Sequence, residues 1–505
     1  MNRNIKLLDT TLRDGEQTSG VSFASSEKLH IARLLLEDLN VDRIEIASAK
    51  VSEGEFETVK KVAKWAEANN YIDKIEVLGF VDGDLSLKWI QRAGCKVMNL
   101  LCKGSLKHCE DQLRKSPEEH LSDIKVVLRE AEKKNISINI YLEDWSNGML
   151  HSKDYVFFLV DNLKDTQIKR FMLPDTLGIL NPIDTAKFCR EMLERYPNLQ
   201  FDYHAHNDYD LAVGNVFAAV NEGISGVHTT INGLGERAGN APLASVVAIL
   251  HDQLNIKTNI VEKNLNKVGR IVESYSGMRI PNNQPVTGDN VFTQCAGIHA
   301  DGDNKNNLYY NDLLPERFGR AREYALGKTS GKSNIKKNLD TIGVELDEDS
   351  MLKLTERIIE LGDKKEIVTQ DDLPYIISDV MHTNTEDKIK MINYSLSLTQ
   401  GLRPTATVRI EIEGKEYEYT APGDGQYHAF SKALWKIYDN LGKAKPELRD
   451  YNVAIPPGGR TDALVQTTIT WSYKEKKFKT RGLDVDQMAA AIKATIRMLN
   501  MIENM

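Results

Sequence analysis

The sequence predicts an α/β protein: an N-terminal (β/α)8 barrel, helical linker subdomains, and a C-terminal α+β domain. Three observations carry this reading. Over residues 1–255 a short β-branched apolar run is followed by a longer segment at helical spacing, eight times over. Over 256–385 that rhythm stops. From 386 to 505 period-2 alternation returns around a tight turn.

The elements follow in order. The first strand candidate is IKLLD (5–9), followed by a helix over 25–40 with Ser25 or Ser26 as its cap. RIEIA (43–47) leads into a helix over 55–70. KIEVLGF (74–80), KVMNLL (96–101), ISINIYL (136–142), KRFMLP (169–174), LQFDYH (199–204) and GVHTTI (226–231) complete the strand set. A doubly wound open sheet is the competing architecture, but it usually has a glycine-rich phosphate loop after the first strand, and LLDTTLRDGEQ is not one. The stretch 286–320 is polar and glycine-containing, as functional loops are. In TATVRIEIEGKEYEYTA a hairpin turns at Glu413-Gly414. A helix over 428–441, strands near 448–455 and 463–472, and a helix over 486–502 then suggest a small α+β unit repeated twice.

Composition narrows the function classes. The chain of 505 residues is 41% hydrophobic and 27% charged, an ordinary soluble balance. Its net charge of −8 argues against a nucleic-acid or anionic-membrane partner. The 5 cysteines form no C-x-x-C pair, which fits a reducing compartment. With no apolar signal core at the start and no bilayer-length apolar run, a cytoplasmic location is expected.

In a (β/α)8 barrel, function collects at the C-terminal ends of the strands. Polar residues gather there in this sequence: Asp9, Thr10, Arg13 and Asp14 after the first strand, Glu143-Asp144 after the fifth, Asp175-Thr176 after the sixth, and His204 and His206 at the seventh. In FDYHAHNDYD the two histidines stand at i and i+2, so a strand would project them from one face. Asp14, His204 and His206 offer a carboxylate and two imidazoles, a set suited to Mg2+, Mn2+ or Zn2+ acting as a Lewis acid. Arg13 suits a carboxylate or oxyanion, or else an ion pair with a neighbouring acid. Glu143 is a general-base candidate or an orienting acid, and Thr176 a substrate donor or a helix cap.

TLRDGEQTSGVSFASSEK, HAHND and NGLGERAGN, in that order, resemble the signatures of the α-isopropylmalate synthase, homocitrate synthase and citramalate synthase family. That resemblance covers nearly the whole chain and implies a TIM barrel that joins acetyl-CoA to a 2-oxo acid and hydrolyses the thioester. It also implies metal ligation by Asp14, His204 and His206 with Asn240 nearby, substrate binding by Arg13 and Thr176, and acid/base work shared by Glu143 and His299. Tyr309 falls in the same linker loop as His299. A homodimer whose linker reaches the partner's barrel is implied, as is a regulatory tail over 386–505.

The family pattern H-x-H-N-D-x-G meets Asp210 where glycine is usual, so a different turn is expected there. YLEDWSNG and LCKGSLKHCEDQL resemble the citramalate synthase branch, where Leu78, Leu101 and Tyr141 correspond to residues crowding the oxo-acid pocket. Their alternative is ordinary barrel core. This branch implies pyruvate as substrate; 2-oxoisovalerate, as in α-isopropylmalate synthase, is the runner-up. The tail implies a branched-chain amino-acid effector, isoleucine first, with Tyr427, Leu448, Tyr451, Ile455 and Val465 as lining and Thr461 and Gln487 as polar partners. His428 stands where an acid would pair better with an ammonium group. A 3-hydroxy-3-methylglutaryl-CoA lyase relative would not need the residues beyond the barrel, and a catalytically silent amino-acid-binding regulator would have lost the ligands that this chain keeps.

Overall fold

A computed structural model describes residues 5–306, 308–363, 368, 370–380, 388–454, 465–474 and 476–503. The strands β1 (Lys6–Asp9), β2 (Arg43–Ser48), β3 (Ile75–Phe80), β4 (Val97–Lys103), β5 (Ser137–Glu143), β6 (Phe171–Asp175), β7 (Phe201–Ala205) and β8 (Gly226–Thr229) close in sequence order into one barrel. Closure is a parallel pairing of β1 with β8, Leu8 opposite His228. All eight expected strands form, and hydrogen bonding to neighbours moves their ends slightly.

The first helix differs from expectation. Its α-helical part is Ser25–Arg33, and Leu34–Asp38 form a π turn. Leu34, Leu35 and Leu36 are consecutive and all buried, more than one helical stripe covers, and the widened turn rotates the buried face to take them in. Its cap is Ala24 rather than Ser25 or Ser26: the Ala24 N–H donates to Glu27 Oε2 at 2.8 Å. The next helix, Glu53–Ala68, is capped by Ser52, whose hydroxyl accepts from the Glu55 N–H at 3.1 Å. It buries Phe56, Val59, Val62, Ala63 and Ala66 against the barrel wall.

The main core lies between barrel and helices, and the barrel lumen is partly polar. Glu45 accepts from Asn99 Nδ2 at 2.7 Å, and Asn99 Oδ1 accepts from Asn139 Nδ2 at 2.9 Å. Asp202 on β7 pairs with Arg43 across the lumen and with Arg170 at 2.9 Å. Above this layer Leu8, Leu78, Tyr141 and Met172 form a separate apolar cluster, with Leu101 packed against it. Gly226 sits beside the Asp202 carboxylate, where any Cβ would collide with it.

By its own contacts the chain divides into two compact units, residues 1–293 with 307–323, and residues 294–306 with 324–505. In the second unit the expected hairpin is present, Thr405–Ile412 and Lys415–Pro422 joined by Glu413 (φ 49°) and Gly414 (φ 79°). Two positive φ values in a row give the turn whose twist matches the strands. The suspected repeat is also visible. Ile389–Ser397 joins the hairpin in one antiparallel three-stranded sheet, Glu447–Ala454, Val465–Tyr473 and Lys476–Asp484 form another, and a helix follows each (Gln426–Asn440 and Gln487–Glu503). Both repeats contribute to one apolar core, and Tyr427 Oη and Thr495 Oγ1 link the two helices at 2.8 Å.

Gly226→Ala should lower the barrel's urea midpoint by an amount corresponding to about 1–3 kcal/mol, as overpacking does. An unchanged midpoint would mean that Asp202 can move without loss.

Candidate functional site

β7 carries His204 on its inward face. Just past the strand, His206 forms a bridge with Asn240. The two imidazole centroids are 5.0 Å apart. Asp14, from the turn after β1, brings Oδ2 to 3.3 Å from His204 Nε2 and 4.0 Å from His206 Nε2. All three residues are buried, and one potential ligand atom from each lies within 4.8 Å of the others. Both Asp14 oxygens, the Nδ1 atoms of both histidines and Asn240 Oδ1 are buried without a hydrogen-bond partner. Buried polar atoms are ordinarily satisfied, so the unpartnered Asp14 oxygens beside the two Nε2 atoms fit a site for a cation.

The electrostatics fit a cation. Burial alone would raise the Asp14 carboxyl, but the Arg13 guanidinium and the two imidazoles outweigh it and hold the group well below the usual carboxylate range. Burial lowers His204 against the pull of Asp14. Burial and then His204 push His206 down to about 4. An ionised carboxylate beside neutral imidazoles is the protonation state that metal ligation requires.

Arg13 lies under the triad. Its Nε donates to Glu45 Oε2 at 2.5 Å, and its Nη1 is 3.4 Å from Asp14 Oδ2. Both of the roles expected for it are therefore open, since it is ion-paired and it faces the triad. Its Nη2 reaches the Tyr141 hydroxyl at 3.4 Å. Tyr141, Leu78 and Leu101, the three expected pocket residues, are brought together in the lumen cluster, and the Tyr141 ring meets His204 edge-on at 6.2 Å.

Glu143 ends β5 as expected and pairs with Lys103 at the end of β4. The Gly104 N–H donates to the Glu143 carbonyl at 2.6 Å, which fixes that strand end. The Thr176 hydroxyl accepts from the Asp144 N–H at 2.9 Å. The helix-cap reading of Thr176 is corrected: Asn181 caps Pro182–Arg195 through Oδ1.

The loop after β8 needs its glycines. Gly235 (φ +159°) lies against the Asn240 amide, where a Cβ would clash, and Gly239 (φ +86°) lies against the Gly233 carbonyl. Asn240 Nδ2 donates to the Leu234 carbonyl at 3.1 Å, while its Oδ1 is buried without a partner. Arg237 ties three loops, gripping both Asp208 oxygens at 2.7 and 3.0 Å and the Thr176 carbonyl at 2.7 Å. Asp210 adopts φ 59°, the left-handed region glycine favours, and Asn207 Nδ2 supports its carboxylate at 3.2 Å. Aspartate thus supplies the conformation that a glycine would.

His299 belongs to the second compact unit, on the helix Gly297–Asn304, with Nδ1 3.2 Å from Gln294 Oε1. Tyr309 is an exposed loop residue of the first unit. In the tail, Tyr427 and Leu448 line a cavity of about 250 Å3 with His428, Ser431, Trp435, Pro446 and Trp471. Tyr451 packs its ring 5.1 Å from Tyr427, Val465 is half-buried, and Gln487 is exposed at a helix start. Ile455 and Thr461 lie outside the described residues. The carboxylate missing at 428 stands nearby, since Asp424 Oδ2 is 3.3 Å from His428 Nδ1.

Glu45, Lys103, His228 and Arg237 were not anticipated as site residues. For the strand residues a signal existed. A polar residue interrupts nearly every apolar barrel strand: Glu45 in RIEIA, Asn99 in KVMNLL, Asn139 in ISINIYL, Asp202 in LQFDYH, His228 in GVHTTI.

Comparison with known proteins matches residues 4–272 to the HMGL-like family, 286–366 to the homocitrate synthase post-HMGL domain-like family, and 367–503 to the LeuA allosteric (dimerisation) domain. The (R)-citramalate synthase CimA of Methanocaldococcus jannaschii is 32% identical over 507 residues, covering 99% of this chain and 100% of that protein. The 2-isopropylmalate synthase of Oceanobacillus iheyensis is 32% identical over 508 residues, covering 98% and 96%. That of Aquifex aeolicus is 30% identical over 510 residues, covering 99% and 96%. No helix among the described residues is long and apolar enough to cross a membrane.

His204→Ala should weaken Mn2+ binding by about tenfold or more in calorimetric titration while leaving the far-UV circular dichroism unchanged. Undiminished Mn2+ affinity would exclude His204 as a ligand. A second expectation concerns Asp9, whose carboxyl burial raises to about 7. The folded protein then keeps a proton that the unfolded chain, with an aspartate pKa of about 3.9, gives up. This contribution to stability is full below the unfolded value and is lost as pH rises through about 7. Asp9→Asn keeps an acceptor for the Thr11 N–H, which Asp9 Oδ1 now receives at 2.9 Å. Its stability relative to the native chain should therefore be higher at about pH 8 than at about pH 5 in urea titrations.

Proposed function

The chain belongs to the HMGL-like family, among its citramalate and 2-isopropylmalate synthases, and from that premise we propose that it condenses acetyl-CoA with pyruvate to give (R)-citramalate and CoA. It is an acyltransferase that converts the acyl group to an alkyl group on transfer. The observation that carries the choice of pyruvate is the lumen cluster. Leu78, Leu101 and Tyr141, with Leu8 and Met172, crowd the space beside Asp14 and His204, which suits a methyl group better than an isopropyl group. One methylene in such a pocket is worth about 1–3 kcal/mol in discrimination.

A divalent ion (Mn2+, Mg2+ or Zn2+) held by Asp14, His204 and His206, with Asn240 beside them, would polarise the keto group of the oxo acid. Arg13 faces the charge that develops on the keto oxygen, since its Nη1 already lies beside Asp14. The Thr176 oxygen is occupied by the Asp144 N–H, so its own proton is available to a substrate carboxylate oxygen. Glu143 takes a proton from the acetyl methyl group, and the carbon so exposed bonds to the keto carbon, whose oxygen then takes up a proton. Water hydrolyses the thioester and CoA leaves as the thiol. His299 and Tyr309 complete this acid/base work from the linker. Positioning and charge stabilisation do most of the work, because the acetyl methyl is a weak carbon acid.

In this reading residues 1–255 carry catalysis, 256–385 supply the linker loop, and 386–505 form a dimerising, isoleucine-binding regulatory domain in a cytoplasmic homodimer. The match to an allosteric dimerisation domain and the cavity beside Tyr427 support it.

Thiol release from acetyl-CoA should be fastest, by kcat/KM, with pyruvate, then 2-oxoisovalerate and 2-oxoglutarate. Leu78→Ala or Leu101→Gly should raise the rate with 2-oxoisovalerate relative to pyruvate by about tenfold or more. A preference of the unmodified enzyme for 2-oxoisovalerate would make it a 2-isopropylmalate synthase, a kind of synthase to which the chain is as similar as to the citramalate synthases, 32% in each case. Isoleucine, titrated against leucine and valine, should inhibit the full chain most strongly and raise its melting temperature. No response to any of the three would leave the tail a dimerisation module.

A further inference from the structure

The pocket wall has its own support one layer deeper. Tyr141 is 3% exposed, and its hydroxyl lies between two groups. Arg13 Nη2 reaches it at 3.4 Å, and His228 Nδ1 lies 3.0 Å away. His228 comes from β8, so this bond crosses the lumen from β5. Its ring also meets Tyr141 edge-on at 5.4 Å and His204 at 5.3 Å.

Below His228 lies Asp202, with Oδ2 3.4 Å from His228 Nε2. Arg43 and Arg170 hold Asp202 in place, and Gly226 leaves the room that it occupies. The Asp202 carboxylate beside Nε2, itself neutralised by Arg43 and Arg170, favours the His228 tautomer with the proton on Nε2. Nδ1 is then an acceptor, and the Tyr141 O–H must donate to it. The Tyr141 oxygen in turn accepts from Arg13. The hydrogen bonds run in one direction, Arg13 to Tyr141 and Tyr141 to His228, and beyond them His228 Nε2 faces the Asp202 charge at 3.4 Å. The phenol's proton and one acceptor site are thereby engaged within the lumen, and Tyr141 presents its ring as an apolar wall.

We infer that His228, backed by Asp202, is a specificity-determining positioning residue: by holding the Tyr141 hydroxyl across the lumen it fixes the ring that limits the oxo-acid side chain. The inference rests on the reading of Leu78, Leu101 and Tyr141 as the oxo-acid pocket. Apolar contacts with Leu8, Leu78 and Met172 bury the ring, and the hydroxyl contacts with His228 and Arg13 add direction to that packing. Without that direction the ring can turn aside, and a longer side chain gains room.

The test compares kcat/KM for pyruvate, 2-oxobutyrate and 2-oxoisovalerate in the unmodified enzyme, Tyr141→Phe, His228→Gln and the double variant. Tyr141→Phe cuts the same bond from the other end and keeps the ring, so it carries the test even where His228→Gln fails to fold. Each single change should raise the ratio of 2-oxobutyrate to pyruvate by at least about tenfold, the lower end of what a methylene is worth. The double variant should exceed the larger single effect by no more than about twofold, because both changes remove the same Tyr141–His228 bond. Unchanged ratios, an equal loss with all three oxo acids, or multiplying effects in the double variant would each overturn the inference. A preference of the unmodified enzyme for 2-oxoisovalerate would overturn the pyruvate assignment alone, since the ratio of longer to shorter oxo acid still reports on the Tyr141 wall.

Discussion

A single buried guanidinium organises the upper half of the barrel. Arg13 is held by Glu45 on one side, stands against Asp14 on another, and touches the Tyr141 phenol on a third. Burial disfavours such a cation, and the two carboxylates reverse that and raise its affinity for its proton further. Removing one member would strand a charge in the lumen, a cost of several kcal/mol. Arginine suits the position because its planar fork reaches three groups at once, where a lysine would supply a point charge. The same cation keeps Asp14 ionised, so the proposed metal ligand and its electrostatic support are one structure.

The lumen departs from the common filling of such barrels, layers of Val, Ile and Leu. Here an acid–amide layer from β2, β4 and β5 lies below a thin apolar cluster, and the triad lies above. Buried polar layers are tolerated when each group finds a partner, and the amides of Asn99 and Asn139 do so in series. The proposed substrate pocket therefore has a floor fixed by directional bonds as well as by side-chain packing.

Most of the architecture was legible in the sequence because it is periodic. Eight apolar runs at regular intervals leave few alternatives to a barrel, and His204 and His206 declare a shared face by their spacing. The Glu413-Gly414 turn was legible because two left-handed residues in a row demand a particular chemistry. Lys103 and Arg237 were not, because their meaning is tertiary, and the Glu45 layer announced itself only as a polar residue within each of its apolar strands. A charged residue within a strand reads the same whether it faces solvent or a partner across a lumen. Ser25 and Ser26 misled for a related reason: the chain enters the helix at Ala24, one residue earlier, where Glu27 reaches back to the Ala24 N–H. Asp210 fell between these cases, its departure from glycine visible and its conformational equivalence not.

The chain visits its two compact units in alternation: the first unit takes residues 1–293, the second 294–306, the first again 307–323, and the second the remainder. This threading bears on inheritance. A gene fusion that joins a barrel to a new tail at one crossover point yields two intact modules only when each module is continuous in sequence. Here a junction placed just after residue 293 would strip the first unit of residues 307–323, and one placed just after 323 would remove 294–306 from the second. Recombination at either point leaves an incomplete module, so the barrel and its tail are expected to descend as a linked pair, their histories correlated more closely than those of domains joined end to end.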